Sequence, residues 1–150
     1  LLDGQTHVKI QMEESSVIRQ GHVTAPAFAA TLSNLASLCG TRYLPNLTGH
    51  ILVLEDIGDE TSRLDRMLWT LDQSINFRNL SGLIFGQFLD TADTGRPYGE
   101  TMIEILNKYA QNSLIPSIIN APIGHDGQIF PIMAGRKAAF DATNRTLIFE

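Results

Sequence analysis

Hydrophobic positions along this chain change period several times. Residues 51–54, Ile-Leu-Val-Leu, form an apolar run with no polar alternation, the pattern of a strand covered on both faces. Further strand patterns fall at residues 7–12, 17–24, 82–88 and 115–120, and the run at 51–54 extends to a strand over 50–57. A last pair, 137–140 and 146–149, flanks the turn-like DATNR. Between these the period lengthens to that of a helix. Residues 28–39 place Phe28, Leu32, Leu35, Leu38 and Cys39 on one stripe that stops at Gly40. Residues 61–75 repeat the pattern with Leu64, Met67, Leu68, Leu71 and Ile75, and Asp59 or Thr61 is available as a cap. Residues 98–111 do so with Met102, Ile103, Leu106 and Tyr109. Alternating strands and helices predict an α/β domain, and the short strands at both ends predict antiparallel additions, hence a mixed sheet. The stretch LDTADTGRPYGE, residues 89–100, reads as a loop before the third helix.

Composition narrows the class. With 43% hydrophobic residues in 150, the chain can bury one core, so residues 1–150 are expected to form a single domain. A net charge of −5 with Lys and Arg scattered singly leaves no basic stripe, and no nucleic-acid partner is expected. No apolar run approaches the roughly 20 residues that span a bilayer, so no membrane association is expected either. Cys39 is the only cysteine, which excludes a disulfide framework and a thiolate metal cage. It reads as a buried structural thiol, in keeping with a reducing, cytoplasmic setting. The chain opens on Leu1 and Leu2 and enters a strand pattern by residue 7, which reads as an excised piece of a longer protein.

Several motifs are absent: a phosphate-cradling G-x-x-x-x-G-K, a G-x-G-x-x-G, an H-E-x-x-H and a G-x-S-x-G elbow. DTADTG resembles a calcium loop only superficially, because Thr101 stands where the bidentate glutamate belongs. No cofactor and no metal are expected. What remains is a pair of carboxylates, Glu55 and Asp56, at the exit of the apolar strand, and four histidines. His7, His22 and His50 read as surface or packing residues. His125 differs, because it follows the strand 115–120 in a loop between Gly124 and Gly127. If the two strands run in the same direction, their exits share an edge and bring Glu55 to His125. A carboxylate there would accept the Nδ1 proton, fix the tautomer and stabilise the imidazolium formed when Nε2 takes a proton from a nucleophile. No serine of the chain sits on a recognisable sharp elbow.

LCGTRYLP at 38–45, GHILVLEDIG at 49–58, RLDRML at 63–68, LSGLIFGQF at 80–88, IPSIINAPIGH at 115–125 and PIMAGRKAAFDATNRTL at 131–147 together resemble the C-terminal domain of the LD-carboxypeptidases. These serine peptidases include muramoyltetrapeptide carboxypeptidase and the microcin-immunity peptidases. The resemblance implies a swivelling β/β/α domain with a mixed sheet. It implies a Ser-His-Glu triad in which Glu55 matches the glutamate of the L-E-D motif and His125 the histidine of the G-H motif. The serine would lie on an N-terminal domain outside this chain, leaving the isolated piece inactive. The implied reaction is release of a terminal D-amino acid, D-Ala, from murein tetrapeptide in cell-wall recycling, by homodimers. Gly21 matches a family glycine. Where the family carries G-G-N-L, this chain has Ala29, Ala30, Thr31 and Leu32, a departure that bears on substrate choice rather than on Glu55 and His125. Two alternatives stay open: a non-catalytic binding module on the same fold, and a peptidase or amidase acting on peptide-nucleotide antibiotics.

Overall fold

The computed structural model describes residues 8–126 and 130–149. His7 and Gly127 lie outside the described residues. Eight strands form one mixed sheet: β1 (Val8–Gln11), β2 (Ser16–Arg19), β3 (His22–Thr31), β4 (Ile51–Ile57), β5 (Gly82–Leu89), β6 (Ser117–Ile119), β7 (Lys137–Asp141) and β8 (Thr146–Phe149). Their spatial order is β1-β8-β7-β3-β4-β5-β6-β2. The central four, β3 to β6, are parallel. The β1-β8-β7 wing and the edge strand β2 are antiparallel. The α/β class and the mixed sheet are therefore as expected from the alternation and the short terminal strands.

β3 joins the two halves of the sheet. Its first five residues pair antiparallel with β7 and its last five pair parallel with β4. The strand expected over 17–24 is in fact two strands. The chain breaks at Gly21, where φ is +149° and a Cβ would stand 2.6 Å from the Pro116 ring. Only glycine suits that position, and the break sends β2 to the far edge beside β6 while β3 enters the middle. The helix expected over 28–39 is shortened to α1 (Leu32–Ser37), because residues 28–31 are held as strand by pairing with β4. Ladder hydrogen bonds to β4 outweigh the helical spacing of those few apolar residues.

α2 (Thr61–Ile75) matches expectation in extent, but its N-cap is Glu60 and no side chain caps it, so neither Asp59 nor Thr61 plays that part. α3 (Met102–Ser113) starts later than expected because Thr101 and Glu104 form a reciprocal capping box, leaving Tyr98 in the preceding loop.

The parallel strands are buried on both faces, which is why residues 51–54 show no alternation. Leu52, Leu54, Leu83, Phe85 and Ile119 pack against α1, α2 and α3. Ile51, Val53, Ile84 and Ile118 pack against residues of the wing such as Phe140, Leu147 and Phe149. The result is three layers: antiparallel wing, parallel sheet, helices. Each fully buried Leu or Phe contributes about 1.5–3 kcal/mol, and the layers fix the exits of β4, β5 and β6 along one edge. Cys39 is half-buried beside the helix-side core.

Candidate active site

Glu55 stands near the exit of β4, pointing to the same face as Val53, while Leu54 and Asp56 point into the helix layer. Its carboxylate reaches two groups. Oε2 lies 2.6 Å from Nδ1 of His125, and Oε1 accepts the Thr31 hydroxyl at 2.7 Å. The Glu55 side chain is 15% exposed and that of His125 49%, so a shielded carboxylate holds a ring that faces solvent. The sequence puts these two residues on a shared edge if their strands run in the same direction, and the order β4-β5-β6 is parallel.

β5 separates β4 from β6, so His125 has to cross it. The crossing is built into β5 itself. Leu54 pairs with Phe85 and Asp56 with Phe88, which leaves Gly86 and Gln87 together opposite Glu55 in a bulge. The carbonyl of Ile123 lies where a Cβ on Gly86 would be. Gln87 N donates to that carbonyl at 2.8 Å, and Ala121 N donates to Phe85 O at 3.0 Å. The segment leaving β6 thus runs across the bulge and sets His125 down on Glu55. Gly86 is a site residue that the sequence reading passed over; a glycine inside a buried strand pattern is the signal that marks such a close approach.

Asp56 has a different task. It is 4% exposed and accepts from Ser33 N at 2.7 Å, from the Ser33 hydroxyl at 3.3 Å and from Ile57 N at 2.9 Å. It ties the start of α1 to β4, and its oxygens are committed away from His125. Of the two adjacent carboxylates, one therefore serves the fold and the other the imidazole.

An open cavity of about 440 Å³ surrounds the pair. Ala29, Val53, Ile123, Phe130 and Ile132 give it apolar walls, and Glu55, His125 and Thr31 supply the polar groups. No serine lines it among the described residues. Nor do the described residues contain a group of three or more His, Cys, Asp or Glu side chains placed to hold a metal ion. His22 is exposed, and His50 is half-buried with Nδ1 3.2 Å from Thr48 O.

Beyond the same edge, the loop at 89–100 is strapped to the helices. The Tyr98 hydroxyl donates to Asp65 at 2.6 Å, Tyr98 N donates to Asp93 at 2.9 Å, and Lys108 pairs with Asp65 at 3.1 Å and Glu100 at 2.9 Å. Burial pushes the Asp65 carboxyl up, but the hydrogen bonds from Tyr98 and Lys108 outweigh it and hold the group below its ordinary value. Asp59 goes the other way. Burial raises it, the Asp56 carboxylate raises it further, and Arg63, 3.3 Å away, opposes both only in part.

Comparison with known proteins agrees with this architecture. Residues 24–140 match the LD-carboxypeptidase C-terminal domain family. The murein tetrapeptide carboxypeptidase of Pseudomonas aeruginosa is 34% identical over 107 residues, which is 71% of this chain and 34% of that protein. The crystal structure of muramoyltetrapeptide carboxypeptidase from Oxalobacter formigenes superposes with a TM-score of 0.80 at 23% identity, over 97% of this chain and 50% of that one, and shows the same fold. An MccF-like protein from Bacillus anthracis superposes with a TM-score of 0.71 at 26% identity, over 96% of this chain and 51% of that one. The chain spans between 34% and 44% of the length of three curated relatives. No helix among the described residues is long and apolar enough to cross a membrane. With the family match covering both the strand that carries Glu55 and the loop that carries His125, this chain belongs to the LD-carboxypeptidase C-terminal domain family.

Proposed function

We propose that this chain is the glutamate- and histidine-bearing half of a cytoplasmic serine carboxypeptidase. In this reading the whole protein cleaves the L,D-amide bond that releases terminal D-Ala from murein tetrapeptide during cell-wall recycling. The observation that carries the proposal is the 2.6 Å contact between His125 Nδ1 and Glu55 Oε2 at the edge of an open cavity.

The chemistry follows from that contact. An ionised carboxylate only accepts hydrogen bonds, so the Nδ1 proton points at Glu55 and Nε2 keeps its lone pair. That lone pair takes the proton of a serine hydroxyl as the oxygen attacks the amide carbonyl. Glu55 stabilises the imidazolium so formed without itself taking the proton, and His125 returns the proton to the leaving amine of D-Ala. Water, deprotonated in its turn by His125, hydrolyses the acyl-enzyme. The serine and the oxyanion donors would come from an N-terminal domain, and the apolar walls of the cavity would seat the substrate beside the pair. Alone, the 150-residue chain would have a base without a nucleophile and no covalent route. Partners in this account are the murein peptide, the protein's own N-terminal domain and a second copy in a homodimer; no nucleic acid, membrane, cofactor or metal takes part.

The test is incubation of the full-length protein with murein tetrapeptide ending in D-Ala and with its L-Ala isomer, reading free alanine by mass. The reading predicts release from the D-terminal peptide alone. Release from neither, or from the L-terminal peptide only, would overturn the substrate assignment.

A further inference from the structure

Thr31 holds the N-cap position of α1 with extended backbone, φ −66° and ψ 130°, yet its side chain caps nothing. A threonine at that position ordinarily accepts from a backbone N–H one turn in. Here Ser33 N goes to Asp56 instead, and the Thr31 hydroxyl donates to Glu55 Oε1 at 2.7 Å. Two successive carboxylates on β4 thus divide the work: Asp56 ties down the helix start, which releases the Thr31 hydroxyl for Glu55.

The strand register supports the same division. Thr31 is the direct parallel partner of Glu55, and its branched Cβ restricts the rotamer, so the hydroxyl is aimed by the backbone at little entropic cost. Glu55 then has one short hydrogen bond on each oxygen, and its plane is fixed from both ends. This matters because His125 stands half in solvent, and Glu55 is its ring's hydrogen-bond partner among the described residues. A carboxylate free to rotate would release Nδ1 and admit the other tautomer, with the proton on Nε2 where the base needs its lone pair.

We infer that Thr31 is a positioning residue for the reaction, acting through Glu55 to hold His125 in the tautomer that can deprotonate the nucleophile. The kinetic part rests on the carboxypeptidase reading above; the tautomer part does not. Hydrogen bonds to charged groups are worth enough that losing one such donor corresponds to roughly a tenfold to hundredfold change.

The experiment uses the full-length protein as wild type, Thr31→Val, Thr31→Ser and Thr31→Ala, with kcat and KM on murein tetrapeptide, thermal melting, and the proton NMR resonance of the His125 Nδ1 proton. Thr31→Val keeps the branched shape and removes the donor. The expected result is melting close to wild type, kcat lower by roughly tenfold to a hundredfold with KM little changed, and loss of the downfield Nδ1 resonance. Thr31→Ser should restore both kcat and the resonance. Wild-type kcat and an intact resonance in Thr31→Val would overturn the inference. Should Thr31→Val melt early, the serine and alanine variants decide: a resonance kept in Thr31→Ser and lost in Thr31→Ala supports the role, and loss in both overturns it. If the wild type releases no D-Ala, the substrate reading fails, while the resonance still decides on Thr31.

Discussion

Gly86 lies directly beneath the carbonyl of Ile123, in the space a side chain would fill. That relationship lets the segment carrying His125 cross β5 and reach Glu55 on β4. Gly86→Ala drives a methyl group into backbone, which cannot move aside as a flexible side-chain tip would. It also strains the bond from Gln87 N to Ile123 O. The expected cost in stability is about 1–3 kcal/mol, in the range of overpacking. The expected cost in kcat of the full-length protein is on the order of a hundredfold, because a base displaced by about an ångström loses that much. Denaturant unfolding beside steady-state kinetics checks this; an alanine variant with unchanged kcat would show that the loop does not depend on the bulge.

The strap at Asp65 predicts an acid limit on stability. Its folded carboxyl titrates below the ordinary value of 3.8. A depressed carboxylate contributes stability that is fully present above the unfolded value and is lost as pH falls through the folded one. Tyr98→Phe removes the largest stabilising hydrogen bond to Asp65, so the variant should be less stable than wild type at neutral pH, and the gap should close as pH falls below the unfolded value of 3.8 and through the folded one. Melting temperatures across pH 2–7 measure it, and a gap that stays constant with pH would sink the explanation.

Asp59 has the opposite sign. It is 8% exposed, with Oδ2 lacking a hydrogen-bond partner among the described residues, and its folded pKa is raised. Stability tied to this group is present below the unfolded value of 3.8 and is lost as pH rises through the folded value. Asp59→Asn removes the buried charge, and only a half-exposed ion pair to Arg63 goes with it. The variant should melt at or above wild type at pH 7 and converge with it in acid. A clear loss of stability at pH 7 would contradict this.

How much of this was legible in the sequence depends on whether the signal was local. The run Ile51 to Leu54 revealed its two-sided burial, and the motifs around Glu55 and His125 marked both residues before their contact was known. The end strands at 137–140 and 146–149 announced the antiparallel wing through their turn, where Asn144 N donates to Asp141 at 2.9 Å. Gly86 was not legible as a site residue, and Thr31 was legible only as part of a departure bearing on substrate choice, not as a partner of Glu55. Thr31 reads as part of a helix over 28–39 until β4 is seen beside it, and Gly86 gains its meaning from a loop that arrives from residues 121–125. The break at Gly21 is marked only by the polar stretch Arg19 to His22 between Ile18 and Val23, and the separate destinations of β2 and β3 give that interruption its meaning.

The proposed action of Glu55 and His125 as one catalytic unit is open to a kinetic test in the full-length protein. Release of D-Ala from murein tetrapeptide should be measured for wild type, Glu55→Gln, His125→Ala and the double variant. Residues that act as a unit are non-additive. His125→Ala should abolish turnover, Glu55→Gln should lower kcat by several orders of magnitude with KM little changed, and the double variant should be no worse than His125→Ala. Turnover that survives His125→Ala, or losses that simply multiply, would contradict it.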